Sequence, residues 1–177
     1  MTARGFVDLH PDTAPPAARA LLEATRAKLG FVPSAMARMA LAPSLATAFQ
    51  RAHAAFEATS LSPLEREAAV LAMAREIDCE VCVAMHARIL ARLGGAAHTA
   101  RILGREPLDD ARLDAIVEMT RAILAHRGDV DAERWRRFLD AGYTRVQALE
   151  LLIGVGAYTM STYANRLTEA AVDPQLR

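Results

Sequence analysis

The chain has 177 residues, with 21 Lys plus Arg set against 21 Asp plus Glu and a formal net charge of zero. That balance, with basic residues scattered rather than clustered, gives no field to draw in nucleic acid or anionic lipid, so neither is expected as a partner. The length suits a single domain over residues 1–177, and abundant alanine with only 5% aromatic residues favours helix over strand.

The segment Met1 to Pro16 carries no apolar run of the kind a secretory signal needs, so a cytoplasmic protein is expected. Pro15 and Pro16 predict the start of a first helix that Gly30 stops. Ser34 is a candidate cap for a short helix ending near Leu41, and Ser44, after Pro43, begins another that carries Leu45, Phe49 and Phe56. Ser62-Pro63-Leu64-Glu65 is a capping box with Pro at the first helical position, and it predicts a helix to about Ile77. Asp78 is then the candidate cap for a helix that runs through Leu90 and Leu93 to Gly94-Gly95. A short helix is expected over 97–103, a longer one from Asp109 or Asp110, and another from Asp131 to Ala141. Thr144-Arg145-Val146-Gln147 is a second capping box and opens a long apolar helix to about Glu169. Gly154 and Gly156 inside it each cost roughly 1 kcal/mol relative to Ala, which close packing against another helix would explain. Leu151 to Met160, the most apolar stretch, is too short to span a bilayer. The expectation is an all-α domain of eight to nine helices with no strand, repeat or linker.

Both cysteines fall in one C-x-x-C, Cys79 and Cys82, and His86 follows four residues later. On a helix these three positions share one face. In a reducing compartment, two cysteines at this spacing point to a reactive or metal-binding pair rather than a structural disulfide. A thiolate is favoured near a helix N-terminus, which the first turn after Asp78 would supply. In the preceding helix, Glu65, Arg66 and Glu76 fall on polar positions, whereas Glu67 has Leu64, Val70 and Leu71 as its helical neighbours. If the two helices fold back around Asp78, Glu67 stands about 16 Å from the corner, level with Ile89 and within a turn of His86. A relay from Glu67 through His86 to Cys82 follows.

These four residues match the E-x11-C-x2-C-x3-H pattern of the alkylhydroperoxidase D (AhpD-like) branch of the carboxymuconolactone decarboxylase superfamily, and the chain resembles that family over most of its length. Leu61 to Glu67 resembles the start of the family's motif helix, within a motif core over about 44–127, and Gly30 to Pro33 with Tyr163-Ala164-Asn165 resemble flanking segments of peroxidase-related members. The resemblance implies an AhpD-like helical bundle that forms trimers or hexamers and reduces hydroperoxides without a cofactor. It implies catalytic roles for Cys82 as the attacking sulfur, Cys79 as the resolving one, Glu67 as base and His86 as proton shuttle. Re-reduction would fall to a lipoyl or thioredoxin-like donor. Val81 stands where some family peroxidases carry a further histidine, which would shorten the relay.

Two other classes compete with this reading. The same residues could bind metal or sense redox state without catalysis, since two cysteines, a histidine and a carboxylate resemble a zinc set, although no second C-x-x-C or H-x-x-x-H accompanies them. An enzyme of the wider superfamily acting on a small carbon substrate is the other. Among the remaining histidines, His53 and His126 have no partner visible in sequence, and His10 and His98 carry no argument. Met36, Met39, Met73, Met85 and Met119 read as core, and Tyr163 and Asn165 are undecided.

Overall fold

The computed structural model describes residues 4–176, and among them nine α-helices and no strand. The helices are α1 (Pro16–Leu29), α2 (Ser34–Met39), α3 (Pro43–Glu57), α4 (Pro63–Glu76), α5 (Glu80–Leu90), α6 (Ala96–Gly104), α7 (Ala111–His126), α8 (Ala132–Asp140) and α9 (Arg145–Thr168). No helix among the described residues is long and apolar enough to cross a membrane.

The pivot of the fold is α4. Nine of its 14 residues are buried, Glu65 and Glu67 among them, so it is enclosed on nearly all sides rather than along one stripe. It packs on α5, α6, α7 and α9. Val70 and Met73 join Phe56 of α3, Ile116 and Met119 of α7, and Tyr158 of α9 in one apolar cluster. Ala68 and Leu71 join Leu90 of α5, Ile102 of α6 and Val117 of α7 in a second. Both capping boxes form, Ser62 with Glu65 and Thr144 with Gln147, and they fix where α4 and α9 begin.

Local departures from the sequence reading have identifiable causes. Glu65 sits at a buried rather than a polar position. Besides closing its capping box, its carboxylate accepts from Arg112 Nε at 2.6 Å and from the Tyr143 hydroxyl at 2.9 Å, which pins α4 to α7 and the start of α9. Ser34 does not cap α2; Pro33 holds that position, while the Ser34 N–H donates to the Asp173 carboxylate and its hydroxyl to Asp8. Gly94, left-handed at φ 87°, breaks the helix where the sequence places its stop, and α6 begins directly beyond the kink; a Cβ on Gly95 would lie 2.8 Å from Leu64 and Leu90. Gly154 meets the expected close approach, because a Cβ there would lie 2.6 Å from the Phe56 ring, whereas Gly156 faces open space.

Candidate active site

The corner between α4 and α5 decides where the sulfurs go. Asp78 adopts the left-handed conformation (φ 53°), its N–H donates to the Arg75 carbonyl, and the Cys79 N–H reaches back to Ala74 at 2.9 Å. This is a Schellman closure of α4, and it uses Asp78 as the terminating residue. Asp78 therefore does not cap α5, and its side chain pairs with Arg75 at 2.6 Å instead. Cys79 takes the N-cap position, and Cys82 becomes the third residue of the helix. Serine, threonine, aspartate or asparagine normally holds such a cap, so a cysteine there puts a sulfur where orphan N–H groups favour negative charge. From α9, Arg166 Nη1 donates to the Asp78 carbonyl at 2.5 Å and fastens this corner.

Glu67 and His86 meet across the α4–α5 interface. The carboxylate oxygen Oε1 lies 2.5 Å from His86 Nδ1, with both residues buried. Engaging Nδ1 leaves Nε2 as the ring nitrogen free to handle a proton. His86 is one helical turn from Cys82 on the same face of α5; among the described residues no hydrogen bond joins His86 to either sulfur.

Both thiols are free and buried. Across from them, Asn165 of α9 points its Nδ2 at Cys82 Sγ (3.3 Å), with Cys79 Sγ at 3.9 Å. Negative charge on the pair favours Cys79. Its pKa is lowered to about 6, first because the Cys82 thiol beside it acts as a donor. Burial works against this; the Cys82 backbone N–H, Asn165 and the His86 ring add to it. The backbone contribution acts without full capping geometry, since no side-chain capping hydrogen bond forms at Cys79. Cys82 is pushed the other way, upward, by giving its proton toward Cys79 and by burial. The two shifts run in opposite directions, so a negative charge on the pair is favoured on the cap sulfur.

Two features lay beyond the sequence reading. Asn165, which spacing alone does not place, is 86 residues from Cys79 yet its amide reaches both sulfurs. Its signal was a polar run, Tyr158, Thr162 and Asn165, at helical spacing on a mostly apolar helix, all of it buried. His53 also has a partner: the Tyr158 hydroxyl lies 3.1 Å from its Nδ1, and the Tyr158 ring stands edge-on to His86 with centroids 5.1 Å apart. Burial lowers the pKa of His53 and raises that of Tyr158, which keeps both neutral around pH 7. Tyr163 is 59% exposed and far from any such role.

Two depressions flank the cluster. One, of about 220 Å³, is lined by Asp78, Cys79, Glu80, Val81, Asn165, Arg166, Glu169 and Ala170. The other, of about 150 Å³, is bounded by Glu67, Arg66 and Tyr158 with apolar Phe56, Val70, Ile89 and Leu93. Among the described residues, no group of three or more His, Cys, Asp or Glu is placed to hold a metal ion.

No family model and no curated protein matches the chain. Solved structures do. An uncharacterised peroxidase-related protein with an alkylhydroperoxidase AhpD core, from Ralstonia eutropha JMP134, is 19% identical over 97% of this chain and 93% of that one, with a TM-score of 0.79. An uncharacterised peroxidase-related protein from Silicibacter sp. TM1040 is 18% identical over 99% and 95%, with a TM-score of 0.81. A cysteine-to-alanine variant of the debrominase Bmp8, in complex with 2,3,4-tribromopyrrole, is 17% identical over 98% and 94%, with a TM-score of 0.76. The chain has the AhpD-like helical fold that these proteins share.

Proposed function

We propose that this AhpD-like chain is a dithiol oxidoreductase that reduces hydroperoxides. The observation that carries the reading is a single buried cluster: two free sulfurs under one amide, next to a carboxylate–imidazole pair at 2.5 Å. A thiolate attacks the distal peroxide oxygen. An S–O bond forms as the O–O bond breaks, sulfur is oxidised to sulfenic acid, and the released alkoxide takes a proton through His86 from the Glu67 pair. The second thiol then displaces hydroxide from the sulfenic acid, giving a disulfide and water. Two thiols and one hydroperoxide become one disulfide, one alcohol and one water. The family resemblance makes Cys82 the attacking sulfur; we assign the first attack to Cys79, because charge on the pair is favoured there.

The disulfide returns to dithiol through an external two-electron donor, of lipoyl or thioredoxin-like chemistry, in a reducing compartment such as the cytoplasm. Self-association belongs to the same reading. Val146, Leu149, Ile153, Gly156, Met160, Tyr163 and Leu167 alternate by three and four residues along α9, the spacing of a seam that packs on another helix. Val146, Leu149, Tyr163 and Leu167 are 64%, 66%, 59% and 61% exposed. A trimer or hexamer would cover them.

One neighbour favours a second reading. The Bmp8 variant bound to tribromopyrrole is a debrominase with this fold, and a dithiol can also attack an aryl bromide at bromine. Two thiols and one aryl bromide would give one disulfide, one arene and hydrogen bromide. Thiol counting on the reduced protein separates the readings. One equivalent of tert-butyl hydroperoxide should remove two free thiols and yield one equivalent of alcohol, and Cys79→Ser should abolish it. Thiols that survive the peroxide, but are lost with bromide release on adding a brominated pyrrole, would replace the first reading with the second.

A further inference from the structure

The Asn165 amide is satisfied on one side only. Its Nδ2 faces Cys82 and Cys79 at 3.3 and 3.9 Å, while its buried Oδ1 has no hydrogen-bond partner among the described residues. The residue is 4% exposed, so this oxygen is shielded from bulk solvent with no protein donor to pair it. Native structures rarely leave such an acceptor unpaired without a functional reason. Asn165 also forms part of the wall of the depression of about 220 Å³ that Cys79 lines. Asn165 and Cys79 thus share the wall of one recess, the first with an unpaired buried acceptor and the second with a free thiol.

We propose that Asn165 is a substrate-binding catalytic residue, its Oδ1 accepting the O–H of a small hydroperoxide that enters this depression against Cys79 while its Nδ2 holds the sulfur pair. The proposal rests on the peroxidase reading and deepens it. In R–O–O–H the hydrogen sits on the distal oxygen, the atom that sulfur attacks. When the S–O bond forms and the O–O bond breaks, that hydrogen stays on the same oxygen and becomes the hydroxyl of the sulfenic acid. The alkoxide that leaves takes its proton elsewhere, from the His86–Glu67 pair. One acceptor can thus follow one O–H from reactant to intermediate, and it lets go when Cys82 expels that oxygen as water. Peroxides with no O–H on the attacked oxygen have nothing to offer Oδ1.

The test compares two electrophiles on the fully reduced, full-length protein. Methyl methanethiosulfonate has no hydrogen-bond donor and reports the sulfur alone, whereas tert-butyl hydroperoxide reports the sulfur and the acceptor. Asn165→Leu should slow both reactions and shift both pH profiles upward, with a further loss for the hydroperoxide of roughly tenfold, the size of one ordinary hydrogen bond. Asn165→Asp keeps an acceptor and loses the donor. Its pH profile should also move up, but the ratio of the two rates should stay within roughly threefold of the unaltered protein. Equal slowing of both reagents by Asn165→Leu overturns the assignment, as does a ratio in Asn165→Asp that falls by tenfold. If the leucine variant does not fold, the aspartate ratio decides alone. An unaltered protein that reacts with the thiosulfonate and not with hydroperoxide defeats the peroxidase reading itself, a result distinct from an unchanged ratio in the variants.

Discussion

The charge assignment to Cys79 can be tested by titrating its reactivity, and the shape of the profile matters more than its height. An unperturbed thiol of pKa about 8.5 is only about 3% thiolate at pH 7, whereas Cys79, lowered to about 6, is mostly thiolate there. The thiolate fraction rises roughly 30-fold, but a sulfur that loses 2.5 units of basicity at a Brønsted slope of 0.4–0.5 also loses roughly 10- to 18-fold in intrinsic nucleophilicity. The net gain at pH 7 is then only about twofold to threefold. At pH 5.5 the same arithmetic leaves an advantage of roughly 13- to 24-fold. Iodoacetamide labelling of the reduced protein, with the labelled residue read by mass spectrometry, should therefore plateau by about pH 7, with a midpoint near 6 on Cys79. The sign for stability follows. A depressed folded-state pKa contributes stability that is present above the unfolded thiol's pKa and lost as pH falls through about 6. Because the Cys82 thiol is the leading cause, Cys82→Ser, which keeps a donor, should leave the midpoint nearly in place. Cys82→Ala should raise it by roughly one to two units, the worth of a hydrogen bond to a charged acceptor. A midpoint above 8 in the unaltered protein, or first labelling on Cys82, would refute the reasoning and return the attack to Cys82.

Two further outcomes are expected. Glu67→Gln keeps a carbonyl oxygen that can accept from His86 but removes the negative charge. It should lower peroxide turnover by roughly 100-fold, within the range of positioned acid–base groups, while changing unfolding free energy by only about 1 kcal/mol. Turnover unaltered in stopped-flow measurements would remove the relay and leave the dithiol in place. Leu149→Glu puts a charge near the N-terminal end of the exposed α9 seam, at its most exposed position, and should convert the assembly to monomers without lowering helix content. A monomeric unaltered protein at micromolar concentration in light scattering would dismiss the seam as an assembly surface.

What was legible in the sequence was local. Ser62 with Glu65 and Thr144 with Gln147 announce their helices because a capping box is closed within four residues and needs nothing from the rest of the fold. The meeting of Glu67 with His86 was also within reach. Both lie on neighbouring helices joined by a tight corner, so helical rise alone sets their heights. The reading failed where one residue had two possible local roles. Asp78 is a good N-cap by type, but α4 needs a left-handed residue to close its carbonyls, and Asp78 supplies it. That competition moves the cap by one residue, and the consequence reaches the chemistry. Had Asp78 capped α5, its carboxylate would have occupied the orphan N–H groups, and both thiols would have faced an anion. With Asp78 turned out to Arg75, a sulfur holds the cap position, and the field of the helix acts on it.

Partners from the far end of the chain were beyond local reading. Glu65 reads as a polar-face residue because nothing near it in sequence announces Arg112 or Tyr143. Asn165 could not be tied to the cysteines by spacing, since only the packing of α9 against α4 and α5 brings its amide to the sulfurs. That packing is itself held by polar groups. Arg166 fixes the Asp78 carbonyl, and Arg38, 9% exposed, donates to the Thr168 and Glu169 carbonyls at the end of α9 while pairing with Asp8. These contacts hold α9 at Arg166, Thr168 and Glu169, all within four residues after Asn165. The last turn of α9 is thereby kept in register with the N-terminus of α5, which is what an amide that must serve two sulfurs at 3.3 and 3.9 Å requires. The placement of the Asn165 amide over the sulfurs thus depends on two arginines that, among the described residues, have no hydrogen bond to either cysteine.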